Sequence, residues 1–140
     1  MNTTTTAQTS LPTIGRILMA AIFLISGVGK IAAPAATIGY IGAMGLPFPT
    51  LALLGAIAVE IGGGLALALG LQTRLTALAL AAFSIVTGLA FHHAIGDQNQ
   101  MIHLLKNFAM AGGLLQVVAF GAGAYSLDNR KAAPALSRAA

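Results

Sequence analysis

The sequence has no cysteine and no tryptophan, and only 7% of its 140 residues are charged. The missing cysteines exclude disulfide staples, thiol nucleophiles, CxxC relays, iron–sulfur ligation and the chemistry of four-helix disulfide-exchanging enzymes such as vitamin K epoxide reductases. Any redox role must therefore come from something the chain binds. The scarcity of charge, against roughly a quarter of the residues in ordinary soluble domains, excludes a water-soluble globule. With 57% of the chain hydrophobic and a mean hydropathy of +0.88, a domain this small cannot hide its apolar surface from water, so the surface faces lipid.

Three acidic residues stand against seven basic ones, for a net charge of +4. The basic residues are scattered singly through apolar sequence. That pattern reports membrane orientation, and it lacks the clustered basic face with aromatics that nucleic-acid binding requires.

What is present reads as an all-α, polytopic membrane protein: an antiparallel bundle of four transmembrane helices. Residues 1–12 are Thr-rich and without side-chain charge and read as a disordered tail, 13–125 as the membrane domain, and 126–140 as a polar, basic tail. A first span is expected over about Leu11–Ala33, with Arg16 and Lys30 near its ends. A cleaved signal peptide ending near Ala33-Pro34-Ala35 is the competing reading of that segment. Residues 34–49 combine Pro34, Gly45, Pro47 and Pro49 with Tyr40, Ile41 and Phe48, the pattern of a short interfacial helix with Pro34 at its first turn and Gly45 past its end. Thr50 is placed to cap a second span, about Leu51–Leu71. The brief link Gln72-Thr73-Arg74 then demands an antiparallel third span, about Leu75–His93, and a polar turn at 94–100 precedes a fourth, about Ile102–Ala122. Four crossings put Arg16, Arg74, Arg130, Lys131 and Arg138 on one side, which the positive-inside rule assigns to the cytoplasm together with both termini.

An ionisable group inside an apolar span costs about 2.5 to 3.5 kcal/mol on insertion scales and needs a partner or a role. Glu60 lies about 13 Å deep by helical rise, with Lys30 and Lys106 in the same half of the bundle. An ion pair or triad that fixes helix register, a polar pocket for a ligand and a Glu60 held neutral all account for these charges. His103, Asn107 and Met110 recur at i, i+4 and i+7, with Lys106 beside them, and His92 and His93 end the third span nearby. No HxxxH or ExxH pair lies on one helix, and adjacent histidines diverge by about 100°, so the pattern favours hydrogen-bonded or ligand-contacting histidines over a metal or haem site. Arg16, Arg74 and Asp128 form a candidate second cluster at the cytoplasmic end, read as a solvated salt bridge of small worth. The mid-span glycines 62, 63, 64, 112 and 113 read as close-packing positions.

In this order, Gly15-Arg16-Ile17-Leu18, Phe23, Ser26-Gly27 and Lys30, the Gly45-Leu46-Pro47 turn, Val59-Glu60-Ile61-Gly62-Gly63, Leu69-Gly70 and Thr73-Arg74 resemble the DoxX family of small bacterial membrane proteins. So do Phe91-His92, His103-Leu104-Leu105-Lys106-Asn107, Gly112-Gly113-Leu114-Leu115 and the stretch from Gly121 to Asp128. Leu104 departs from the Phe that members often carry there. The resemblance implies a four-helix inner-membrane bundle with Arg16, Lys30, Glu60, Arg74, His92, Lys106, Asn107 and Asp128 at family positions. It also implies an association with thiosulfate and quinol oxidation or redox-stress complexes.

Three functions compete on this reading. One is an accessory subunit of a membrane redox system that contacts a quinone or similar lipophilic molecule through Lys30, Glu60, His92, His103, Lys106 and Asn107. The second is a non-catalytic scaffold or assembly protein, and the third a small-solute or proton permease, which ordinarily needs more helices or an oligomer. No covalent cofactor or metal motif is present. Redox proteins and a second copy of the chain join the lipid bilayer as candidate partners.

Overall fold

The computed structural model describes residues 3–130, with side chains from residue 10 onward. Lys131 and Arg138 lie outside the described residues. The architecture is the expected bundle, and its main α-helices among the described residues are α1 Thr3–Ala32, α2 Pro34–Ala43, α3 Pro49–Ile57, α4 Gly64–Leu69, α5 Thr73–Phe91 and α6 Gln98–Phe120. A π-helical turn, Ala58–Gly63, joins α3 to α4, so that Pro49–Leu69 forms one continuous span. Ser10–Ala32, Thr73–Phe91 and Gln98–Phe120 are the other three helices long and apolar enough to cross a bilayer.

The boundaries follow from local chemistry. Ala33 interrupts the helical run before Pro34, which takes the first turn of α2 as expected, and Gly45 stops that helix with φ +74. The second span opens on Pro49 after a left-handed Phe48, and Thr50 makes no side-chain cap, contrary to expectation; proline's fixed φ already suits the first turn. Asp97 caps α6 by accepting from the backbone N–H of Gln100 at 2.9 Å, which starts that helix four residues earlier than the apolar pattern implied. The Thr-rich residues 3–12, expected to be disordered, continue α1 through Pro12, which forgoes its own helical hydrogen bond: once a long span is nucleated, each added non-proline residue gains a hydrogen bond for one residue fixed.

A narrow seam of small and branched residues holds the spans together. Ala20, Phe23, Leu67, Ala77, Leu80, Ala81, Ala111 and Leu114 form the buried core. Leu18, Ile25, Leu51, Leu65, Leu75 and Leu89 point outward, where hydrocarbon replaces water as solvent. Of the mid-span glycines, Gly63, Gly64 and Gly113 are close approaches, to Leu80, Leu24 and Met19, whereas Gly62 and Gly112 face open space.

The segment after α6 returns to the bundle, and this corrects the boundary expected at residue 126. Ser126 is buried, Asp128 N–H donates to the Gly70 carbonyl at 2.9 Å, and residues 127–130 are helical. Gly70 makes the return path. It sits at φ +70, and a Cβ there would lie 2.5 Å from both Arg16 Nη1 and Ser126 Cβ. Gly70→Ala is therefore expected to lower stability in detergent by about 2 kcal/mol or more. Gly55→Ala, in open space on α3, should leave it unchanged or raise it. Thermal unfolding of the two variants side by side checks the difference.

Candidate functional site

The site is built around one buried ion pair. Ser26 and Lys30 are four residues apart on α1 and share a face, and Glu60 comes from the π turn opposite. Lys30 Nζ donates to Glu60 Oε1 at 2.9 Å and to Ser26 Oγ at 2.8 Å, while Ser26 Oγ donates to the same Glu60 oxygen at 3.0 Å. The side chains of Lys30 and Glu60 are 24% and 5% exposed. Glu60 Oε2 is enclosed and has no hydrogen-bond partner. A π turn holds one residue more than an α turn and recurs at functional sites; Gly62 and Gly63, weak helix formers, follow Glu60 within it.

The histidines arrive from the other hairpin. His92 ends α5 and His103 lies in the first turns of α6, and their rings stack with centroids 5.0 Å apart and planes at 22°. His92 Nδ1 pairs with Gln100 Oε1 at 2.8 Å. His93 diverges, as adjacent helical residues must, and its ring nitrogen faces the Ala90 carbonyl at 3.2 Å. Asn107 Nδ2 donates to the His103 carbonyl at 2.9 Å. α5 comes close beside it at Gly88, where a Cβ would lie 2.8 Å from Asn107 Cβ. Among the described residues, no three His, Asp or Glu side chains converge tightly enough to hold a metal ion.

These groups line one cavity of about 740 Å³, bounded by all four spans and by α2. Lys30, Glu60, His92, His103, Asn107 and Met110 reach it, among walls that include Ile22, Phe23, Ile41, Leu46, Phe83 and Val86. A stacked pair, Tyr40 of α2 and Phe91 of α5, with centroids 5.5 Å apart, lies on its border. The volume falls in the range of small-molecule sites. Lys106 does not take part: it is exposed and lines no part of the cavity, so the pairing is Lys30 with Glu60 and not the triad that the sequence allowed. Helical geometry explains the difference, because one residue before Asn107 is a turn of about 100° away from the cavity face. Sequence reasoning passed over Ser26, Thr37, Tyr40, Ser84 and Thr87, which also line it. The available signal was Ser84 and Thr87, three apart on an otherwise apolar helix and next to Gly88.

The second polar cluster is not the weak, solvated salt bridge expected of it. Arg16 is 2% exposed, and its guanidinium donates to the carbonyls of Ala122, Ala68 and Tyr125, the latter two at 3.2 and 2.9 Å. It thereby ties the end of α4 to the segment after α6, where the last carbonyls of helices lack partners. Asp128 caps α5 from 55 residues away. It accepts from Gln72 N–H and Thr73 N–H at 2.8 Å each and from Thr73 Oγ1 at 2.7 Å. Arg74 is exposed and lies against Gly121. This cluster is a structural clasp.

Because Glu60 is the acid paired with Lys30 among the described residues, Glu60→Ala is expected to lower the yield of folded protein in detergent more than Glu60→Gln, which keeps a hydrogen-bond acceptor beside Ser26 and Lys30. Lys106→Ala should leave the yield nearly unchanged. Size-exclusion profiles of the extracted variants measure both.

Comparison with known proteins agrees with this architecture. The sequence pattern of the DoxX family matches residues 11–93. The inner membrane protein YqjF of Escherichia coli K12 is 41% identical over 115 residues, which cover 82% of this chain and 87% of that protein. The inner membrane protein YphA of the same organism is 33% identical over 131 residues, or 89% and 92% of the two chains. No solved structure matches. Four apolar helices, the ordered residues described above and two full-length inner-membrane relatives lead to one assignment: this chain is a multi-pass inner-membrane protein that belongs to the DoxX family.

Proposed function

We propose that the chain is an accessory subunit of a membrane redox system and that its cavity receives a quinone-type ring or a similar small lipophilic molecule. The observation that carries this reading is the cavity's composition: apolar walls, an aromatic pair at the border and a buried Lys30–Glu60 pair beside two histidines. An amphipathic ring needs that division, with hydrocarbon around its body and hydrogen-bonding groups at its head. A scaffold reading accounts for the ion pair but gives the cavity no purpose. Against a permease stands the core beyond the cavity, where Leu67, Leu80 and Leu114 are 0% exposed and Arg16 closes the far end.

The orientation belongs to the same proposal. Arg16, Arg74 and Arg130 gather at the clasp end, which the positive-inside rule places in the cytoplasm with both termini, so the cavity lies in the periplasmic half. A reporter fused after Arg138 should then act as cytoplasmic, and one inserted at Gln98 as periplasmic. The reverse pattern would move the cavity to the other face.

The binding claim is tested by thermal unfolding with a short-chain ubiquinone analogue. At about one hundred times its Kd, the ligand should add about 2.7 kcal/mol to the stability of the native protein. His92→Ala should abolish this gain while shifting the unliganded protein by about 1 kcal/mol or less, because His92 ends its helix and is half-buried. Loss of stability and loss of binding in equal proportion would instead assign the histidine to the fold.

A further inference from the structure

On the lipid side of the bundle, one polar group has no role in the fold. Gln116 of α6 is exposed and its side chain makes no hydrogen bond among the described residues. It lies four residues before the end of the helix, about 6 Å by helical rise, and Phe120, 81% exposed, still follows it. Helical side chains lean toward the N-terminus of their helix, so the Gln116 amide leans toward the bilayer midplane and away from the nearer surface. Lys106, exposed in the other half of α6, leans by the same rule toward the surface nearest it, where its ammonium reaches water. Gln116 has no such escape, and an amide with neither donor nor acceptor engaged is costly in hydrocarbon.

The residues around it form a seam. At alternating steps of three and four, Ile102, Leu105, Ala109, Gly112, Gln116 and Ala119 fall on one stripe of α6, the a and d positions of a coiled-coil repeat, and all six are exposed. His103, Asn107 and Met110, which line the cavity, lie on the opposite side of the helix. A Cβ on Gly112 would meet nothing within 4 Å, so packing inside the chain does not call for a glycine there, at a cost to the helix. α6 is also the least covered span: 11% of its most apolar stretch is buried, against 22% to 28% in the other three.

Small residues at 109 and 112 let another helix come close, and an amide one turn further on hydrogen-bonds across such a contact. A second copy of this chain fits best. Copies insert in the same orientation, so two α6 helices related by a two-fold axis along the membrane normal run parallel, and equivalent seam positions meet. An amide carries both a donor and an acceptor, so Gln116 and its own equivalent satisfy each other without a third group. We propose that this seam is the interface of a homodimer in the membrane, with α6 packed on α6 and the two Gln116 amides paired across the axis. The cavity stays open on the far side of each helix, and the proposal does not depend on what the cavity binds.

The chain has no cysteine, so single introduced cysteines report proximity without background. In native membranes, Leu105→Cys and Ala109→Cys should be joined into dimers by mild oxidation, whereas Ile25→Cys, at a position 73% exposed on α1, should stay monomeric. Energy transfer between labelled copies in phospholipid vesicles, followed as lipid is added, then measures the affinity. Gln116→Leu should weaken the dimer about three- to tenfold, the effect of one interhelical hydrogen bond, and Gly112→Leu about tenfold or more. Gln116→Asn keeps the amide and should lose less than Gln116→Leu. Both positions are exposed, so thermal unfolding of these variants should match the native chain and separate lost association from lost fold. Monomers at every dilution, cross-linking at Ile25 as readily as at the seam, a seam cysteine joined to a different protein, or a dimer that Gln116→Leu leaves unchanged would overturn the proposal.

Discussion

Lys30 and Glu60 enter the hydrocarbon together or at great expense. Either charge alone is costly to place within a span, and the attraction between them, with Ser26 as a third hydrogen-bonding group, offsets much of the desolvation of both. That requirement fixes the first span against the second. It sets the rotation of α1, since Ser26 and Lys30 must share the face toward Glu60, and it places the π turn of the second span opposite them. The cavity follows from the same constraint, because groups held to each other near one level of the bilayer leave room between them and the histidines of the second hairpin.

The other end of the bundle is organised on the opposite principle. There, charged side chains are spent on backbone groups that helix ends leave unpaired: Arg16 on three carbonyls, Asp128 on the first N–H groups of α5. The residues after α6 are folded back through Gly70 to supply both partners. Between the two ends lies a tightly packed core around Leu67, Leu80 and Leu114. The molecule is thus closed and stapled at one end and hollow at the other. A binding site needs that asymmetry, and registering four helices does not.

Much of this was legible in the sequence. Hydropathy and length gave all four spans to within a few residues, because nothing but a helix can carry twenty apolar residues through a bilayer. Glu60 and Lys30 stood out because charge in hydrocarbon is rare. The placement of Lys106 was readable as well, one residue from Asn107 and hence off the cavity face, but its charge drew attention before its periodicity did. Other features had no local signature. A single hydroxyl such as Thr37 looks like an ordinary polar residue in an apolar helix until the other walls of the cavity are known. Asp128 caps a helix 55 residues earlier in the chain, a pairing that only the tertiary fold creates. The Thr-rich start of the chain misled for the opposite reason: composition favoured disorder, while attachment to a long helix favoured continuation.

A double-mutant cycle between residues 30 and 60 tests the account most directly. Lys30→Met, Glu60→Gln and the double variant are compared with the native protein by unfolding in mixed micelles. A true buried pair predicts that each single change leaves its partner stranded, that the double variant is more stable than the weaker single variant, and that the coupling is about 2 kcal/mol or more. Additivity within about 0.5 kcal/mol would contradict it, for then neither residue depends on the other and the cavity rests on some other constraint.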